Sequence, residues 1–442
     1  MCSVPVGEWR GTNRLRGMVS AMHAILVSMG SHGDVYPFVG LAIRLHARGQ
    51  RVTLVANEHY RAFALRHGFG FRALISDEEW NEMMVNPDVW HPVKSVIVGA
   101  RWGLRFLERQ YALLTELARD EEAVLVAYPP VFAARLVQEK LSCPMVSLVP
   151  MPWMVLSALA PPKLSGPVNL PRWAPRSVVK LYWRLLEAGA DLLGRRVNRF
   201  GRSLDLKPIR RLPRWGLSPQ LTVGMFPEWY APAQPDWPPQ MRMAGFPLFD
   251  GGSENSLRRD VLDFCHAGGP PVAFTFGSGM MHAAGMFRTA VEACKTLGTR
   301  GIFLTRFEKQ LPSPLPPFIH HSTYAPFGQL FPHCAAVVHH GGVGTTAQAL
   351  AAATPQLVLP LAWDQPDNAA RVKSLGVGDW LGPKTSAGRI RSALGSLLTT
   401  ATQARCREVA LRFGKADPLE LAAGWIEDFA DKQHRGSLPH GT

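Results

Sequence analysis

Residues 339–368 read HHGGVGTTAQALAAATPQLVLPLAWDQPDN, a glycine loop, a helix and a strand in succession. An apolar strand over Ala335–Val338 ends in two histidines, His339 and His340. Gly341, Gly342 and Gly344 follow, then Thr345 and Thr346, then an Ala/Leu-rich helical segment. A second strand, Gln356–Pro360, runs into Trp363, Asp364 and Gln365. A glycine loop between a strand and a helix N-terminus aims free backbone amides at an anion, which is how a diphosphate is held. In a parallel sheet, a carboxylate and an amide just past the next strand face the same crevice. The stretch predicts an α/β unit with a nucleotide-diphosphate-sugar site at the carboxyl edge of its sheet.

The same alternation runs through the chain. His23–Ser28 reads as a strand and Gly30–Asp34 as a glycine-bearing turn. Pro37 is expected in the first turn of a helix, where its missing N–H costs nothing. Phe38, Leu41, Ala42 and Leu45 then keep helical spacing, Gly49 closes the helix, and Arg51–Ala56 is the next strand. Further strands are expected at Ala123–Ala127, Pro144–Leu148, Pro271–Phe276, Gly301–Thr305 and Ile319–Tyr324. Strands alternating with helices imply a doubly wound parallel sheet in each half. The reading divides the chain into a disordered extension (1–21), an N-terminal acceptor-binding half (22–235), a linker (236–250), a C-terminal nucleotide-sugar half (251–415) and a terminal helix with tail (416–442). The Pro- and Trp-rich stretch 227–247 carries the linker signal.

Composition narrows the class. A chain of 442 residues suffices for two domains, and 47% hydrophobic content excludes intrinsic disorder. Cysteines stand at 2, 143, 265, 294, 334 and 406 with no C-x-x-C pair, which favours free thiols in a reducing compartment over disulfides or zinc. The longest apolar region, Pro144–Pro162, is broken by Pro150 and Pro152, and the first 21 residues lack the apolar core of a signal peptide. The expected location is cytoplasmic, with peripheral attachment to the inner membrane as an extension. Net charge is +14, and residues 171–214 hold twelve Lys/Arg against three Asp/Glu. That region reads as a solvated helical face, or as a surface for an anionic membrane, a partner protein or anionic substrates. It carries no nucleic-acid-binding motif.

Two such halves with His-His-Gly-Gly-x-Gly-Thr-Thr and Asp-Gln in the second resemble inverting glycosyltransferases of GT-B fold, two Rossmann-like domains facing across a cleft. The group includes plant secondary-product, sterol and antibiotic glycosyltransferases. The likeness covers about residues 22–415 and is greatest to the bacterial rhamnosyltransferases of mono-rhamnolipid synthesis. The likeness takes in 30–38 (GSHGDVYPF) and 300–305 (RGIFLT), and the branch is indicated by 227–232 (PEWYAP), 236–238 (DWP) and 245–251 (GFPLFDG).

The resemblance implies roles. Asp34 is the candidate general base, positioned to take the acceptor hydroxyl's proton, and His32 is the alternative; capping of the following helix is the structural alternative for Asp34. His339 is expected to contact the donor diphosphate, with Gly341, Gly342 and Gly344 admitting it closely and Thr345 donating a hydroxyl; His340 packs behind the loop. Ser278 is expected to reach phosphate, and Tyr324, before Ala325, to stack on the base. Asp364 and Gln365 are assigned to sugar hydroxyls and Trp363 to the pocket wall. Ala347 stands where many plant members carry a Glu that holds the ribose hydroxyls, which suits a deoxyribose donor. No Asp-x-Asp occurs, so no metal and no cofactor are expected. Trp153, Met154, Leu156, Met84 and Trp90 are expected to line an apolar acceptor channel.

The resemblance thus implies metal-independent transfer of L-rhamnose from dTDP-L-rhamnose to a 3-(3-hydroxyalkanoyloxy)alkanoate. Its alternatives are a UDP-glucose-dependent sterol, terpenoid or macrolide glucosyltransferase and a sugar-nucleotide epimerase of the same fold. The expected partners are a nucleotide sugar, a lipid acceptor and an acceptor-supplying subunit or the inner-membrane surface, and not nucleic acid.

Overall fold

A computed structural model describes residues 21–165, 169–170, 174–251, 256–382 and 384–436. The expected disordered extension at 1–21 therefore lies almost wholly outside the described residues. The strands are β1 (His23–Val27), β2 (Arg51–Asn57), β3 (Gly70–Ile75), β4 (Ala123–Ala127), β5 (Met145–Val149), β6 (Leu221–Gly224) and β7 (Met241–Met243) in the first half. In the second they are β8 (Val272–Thr275), β9 (Gly301–Leu304), β10 (Ile319–Ser322), β11 (Ala336–His339), β12 (Gln356–Val358) and β13 (Gly378–Trp380). All described pairings are parallel. The first sheet has seven strands in the order β3-β2-β1-β4-β5-β6-β7, the second six in the order β10-β9-β8-β11-β12-β13.

β1, β4 and β5 (HAILV, AVLVA, MVSLV) are buried at every position, because helices cover both faces of a parallel sheet. Strand order reverses between β1 and β4 in the first sheet and between β8 and β11 in the second. Loops leaving the carboxyl ends of such neighbours diverge to opposite faces and open a crevice. The fold therefore places two crevices, and the loops at 28–34, 128–131, 276–280 and 339–342 border them.

Two expectations need correction. The linker at 236–250 is not all connection: Met241–Met243 pairs with β6 as the seventh strand of the first sheet. Its three residues lie between Pro238–Pro239 and Pro247, so turn signals hide it. The first helix is His32–Ala47, so His32, Gly33 and Asp34 form its first turn and Pro37 lies inside it. A capping box from Ser31 and Asp34 starts the helix early, and Pro37 removes only a bond to the carbonyl of the first turn, beside the cleft. The terminal helix, Pro418–Gly436, returns to the N-terminal half. Leu419, Ala422, Ile426 and Phe429 join its core, and Arg44 pairs with Asp417 at 2.8 Å.

Candidate active site between the two sheets

On the first sheet the site is built from β1, β2 and β4. Gly30 has φ +141, and a Cβ there would stand 2.4 Å from Asp34 Oδ2, so only glycine lets the carboxylate fold back over the turn. Asn57, at the end of β2, locks this turn: its Nδ2 donates to the Gly30 carbonyl at 3.1 Å, and its Oδ1 accepts from the Gly30 amide at 3.3 Å. Asp34 Oδ2 accepts from the Ser31 amide at 2.9 Å and the Ser31 hydroxyl at 3.1 Å, and Oδ1 accepts from the Tyr128 hydroxyl at 2.9 Å. Burial pushes its carboxyl above the ordinary range, and the Tyr128 and Ser31 bonds partly offset this. Asp34 thus caps the helix and also presents a raised carboxyl to the cleft. His32 stacks on Tyr36 with ring centroids 4.4 Å apart. Burial, then the charges of Arg306 and His59, lower its pKa to about 4, so it is neutral at pH 7.

On the second sheet the loops after β8 and β11 meet. His339 is fully buried, and both ring nitrogens are occupied: Nδ1 accepts from the Gly341 amide at 3.1 Å and Nε2 pairs with Gln356 Oε1 at 3.0 Å. The expected direct contact of His339 with the diphosphate is corrected: its ring shapes the loop from beneath, with a pKa lowered to about 3 chiefly by burial. His340 is the second imidazole of this loop. Its ring lies between Gly277 and Gly342, where a Cβ would meet its Nε2 at 3.1 and 2.6 Å, and a bond to the Thr275 backbone partly offsets the burial that lowers its pKa to about 4. Ser278 is half-buried beside it.

Gly341 has φ +96, and a Cβ there would stand 2.7 Å from Val358 Cγ1 and 3.0 Å from the Gln365 carbonyl. Gly344 differs: a Cβ there meets nothing within 4 Å, so its first-turn backbone in helix Val343–Ala351 borders open space. Thr345 is buried, and Thr346 donates its hydroxyl to the Gly342 carbonyl at 3.0 Å. Beyond β10, Tyr324 is 38% exposed with its hydroxyl donating to the Asp250 carbonyl, and Ala325 is buried.

Asp364 precedes helix Gln365–Leu375. Burial, then the negative charge of Asp34, push its pKa to about 7, with the Asn368 side chain and the Val343 amide bonding it in opposition. That electrostatic contact brings the two candidate carboxylates to one cleft from opposite halves. Asn368, part of the motif but given no role from the sequence, joins the walls: its Nδ2 donates to Asp364 Oδ2 at 2.7 Å and the Gly341 carbonyl at 2.8 Å, and its Oδ1 accepts from Tyr230 at 2.9 Å. Gln365 Oε1 is used locally, accepting from the Leu361 and Ala362 amides at 2.8 and 3.1 Å. Trp363, at φ +61, crosses to the N-terminal half and donates from Nε1 to the Val89 carbonyl at 3.0 Å.

The five expected acceptor residues do not form one channel. Met84 and Trp90 pack in a cluster around Trp80, Val89 and Phe106, with Trp363 and Met281 against it, and a Cβ on Gly279 would stand 3.0 Å from Met84 Sδ. Met154 and Leu156 line a separate cavity of about 250 Å³ with Arg214, Asp236 and Trp237. Trp153 is half-buried with its indole N–H lacking a partner among the described residues. Apolar composition alone does not distinguish interdomain packing from an open channel. Tyr128 and Asn57 were also missed; each is a lone polar residue at a strand end, and only strand order puts them beside Asp34.

Two parallel sheets with facing switch-point crevices and a glycine-loop anion site define a nucleotide-sugar-dependent glycosyltransferase of GT-B fold. Residues 24–160 match the glycosyltransferase family 28 N-terminal domain, and residues 302–420 the C-terminal domain of erythromycin biosynthesis protein CIII-like proteins. The chain is 30% identical to O-mycaminosyltylonolide 6-deoxyallosyltransferase of Streptomyces fradiae over 95% of its own length and 100% of that protein's. It therefore belongs to this family of GT-B glycosyltransferases. It is 28% identical to a sterol 3-beta-glucosyltransferase of Arabidopsis thaliana over 81% of the chain, which spans 58% of that longer protein. The fold superposes on glycosyltransferase VinC, solved in complex with dTDP, with TM-score 0.66 and 18% identity, covering 93% of this chain and 100% of that one.

Proposed function

We propose that the protein is an inverting rhamnosyltransferase that moves L-rhamnose from dTDP-L-rhamnose to the hydroxyl of a 3-(3-hydroxyalkanoyloxy)alkanoate, giving mono-rhamnolipid. The observation that carries the transfer chemistry is the Asp34 carboxylate, held by Tyr128 and Ser31 at one switch point and facing Asp364 at the other. The acceptor oxygen bonds to the anomeric carbon as the bond from that carbon to the diphosphate oxygen breaks. The acceptor proton passes to Asp34, and dTDP leaves with the bonding pair. A carboxylate whose pKa is raised by burial holds that proton better than an exposed one. In this reading the first-turn amides at Gly344 and Thr345, with the His340 ring, take up charge on the leaving diphosphate.

Three features support the finer reading. Ala347 is buried and apolar, so it offers a ribose 2′-hydroxyl no partner, and a deoxyribose donor leaves nothing unpaired there. dTDP is also what VinC binds in its solved structure. Arg306 follows β9 and is exposed. Its charge is felt at His32 and Tyr60 across the cleft, and it has no ion pair among the described residues. It suits an acceptor that carries a carboxylate. A second reading, glycosyl transfer to a sterol or macrolide such as glucosyl transfer from UDP-glucose, takes its acceptor from relatives named a sterol 3-beta-glucosyltransferase and an O-mycaminosyltylonolide 6-deoxyallosyltransferase. Calorimetry of dTDP against UDP, followed by mass analysis of product from dTDP-L-rhamnose and the lipid acid, tests the proposal. Preference for UDP or absence of a rhamnosylated product would overturn it.

A further inference from the structure

Helix Arg176–Leu193 presents an apolar stripe to solvent. Val178, Leu181, Leu185 and Leu192 are 45, 56, 64 and 54% exposed, at spacings of three, four and seven. Such spacing puts them on one helix face, and Ala188, also exposed, fills the gap. The opposite face carries Val179, Trp183 and Glu187, which are buried, so the helix is seated on the protein and its second apolar face is left uncovered. The neighbouring helix Lys94–Arg105, with which it is in contact, extends the surface through Val93, Val96 and Ile97, each 38% exposed or more. Contiguous exposed apolar side chains on a soluble fold mark an interaction surface.

Charge selects the occupant. Arg176, Lys180 and Arg184 are exposed on the same helix, and none has an ion pair among the described residues. The only acidic residues of that helix are Glu187, buried against Arg214, and Asp191, half-buried and accepting from the Arg211 and Leu212 amides. The next helix, Arg195–Ser203, adds exposed Arg195, Arg199 and Arg202. A solvent-facing helix with leucines along its crest, unpaired cations beside them and no exposed carboxylate is complementary to an anionic lipid surface, where apolar side chains enter the acyl boundary and cations meet phosphate.

We propose that helix Arg176–Leu193, with the start of helix Lys94–Arg105, docks the enzyme on an anionic lipid bilayer. Helix Lys94–Arg105 also reaches the cleft wall: a Cβ on its Gly99 would stand 2.4 Å from Trp363 Cη2, next to Asp364. Docking there brings the mouth of the site to the membrane plane, where an amphiphilic acceptor is concentrated. The inference goes beyond the reading of the site, and its test uses no acceptor, so either can fail alone.

The test is co-sedimentation of the full chain with phosphatidylcholine vesicles and with vesicles that also contain phosphatidylglycerol. The wild type is expected to partition to the anionic vesicles and much less to the neutral ones. Lys180→Glu with Arg184→Glu should weaken partition by about tenfold or more. Leu181→Ser with Leu185→Ser should weaken it by about tenfold, while both variants retain wild-type dTDP affinity and melting temperature. Equal sedimentation with and without anionic vesicles, or unchanged partition of both variants, overturns the proposal. So does a lipid-free dimer that the leucine variant converts to monomer, since the stripe would then be covered by a second copy.

Discussion

Asp34 serves two purposes that are separable by substitution. Its side chain closes the capping box with Ser31 and accepts from Tyr128, while its carboxylate also borders the cleft. Asp34→Asn preserves shape and most capping but removes the proton acceptor. Transfer should fall by about 10²–10⁴-fold while calorimetric dTDP affinity stays within a factor of two or so; transfer near the wild-type rate would remove Asp34 from the chemistry. The pH dependence follows from burial. The base works ionised, and its pKa is raised, so kcat/KM should rise with pH through a limb above the ordinary carboxylate range. The Asp34 charge opposes ionisation of Asp364, which is still protonated where Asp34 ionises, so Asp364→Asn should leave that limb in place. Asp364 also has a stability signature. Its native pKa of about 7 exceeds its unfolded value, so the native state holds the extra proton between the two. Its contribution to stability is therefore greatest below the unfolded value and is lost as pH rises toward 7, and Asp364→Asn should flatten that fall in a pH series of denaturant melts. The two histidines divide differently from what their order suggests. His339→Ala orphans the Gly341 amide and Gln356 and should cost about 1–3 kcal/mol of stability. His340→Ala should spare the fold and weaken dTDP binding.

The glycine loop gives the sharpest split between stability and function at the level of elements. Gly344 has open space beside it, so Gly344→Ala should leave the melting temperature unchanged or slightly raised, since alanine favours the helix. The added methyl group nevertheless points where a phosphate would approach, and dTDP affinity should drop about tenfold or more on calorimetric titration. Equal affinity would place the diphosphate elsewhere. Much of this element was legible: glycines between strand and helix have few other uses when histidines precede them and Asp-Gln follows. What was not legible is which side chain faces the ligand. His339 closes β11 and His340 opens the loop after it, and neighbours at a strand end point to opposite sides, so a pair of histidines does not say which one turns inward. The boundary at His32 was likewise obscured by Pro37, a start signal that lies inside the helix.

The two halves are joined by more than the connecting segment. Trp363 hydrogen-bonds Val89, Asp367 accepts from the Lys163 amide at 2.9 Å, and the last helix lies in the core of the first half. Ile426→Ala should therefore destabilise the N-terminal half by about 2–5 kcal/mol, seen in calorimetric melting as a shift of that half's transition, though Ile426 lies in the final element of the chain. The α/β class, most strands and the anion loop follow from the order of residues along the chain, because strand burial, helical spacing and glycine turns are local. That Asp34, Tyr128, Asn57, Asp364 and Asn368 share one cleft emerges from the folded molecule. That structure also showed that the apolar residues proposed as one channel belong to two places. Those relations depend on strand order and on the docking of two sheets, and no local pattern encodes which distant side chains a crevice brings face to face.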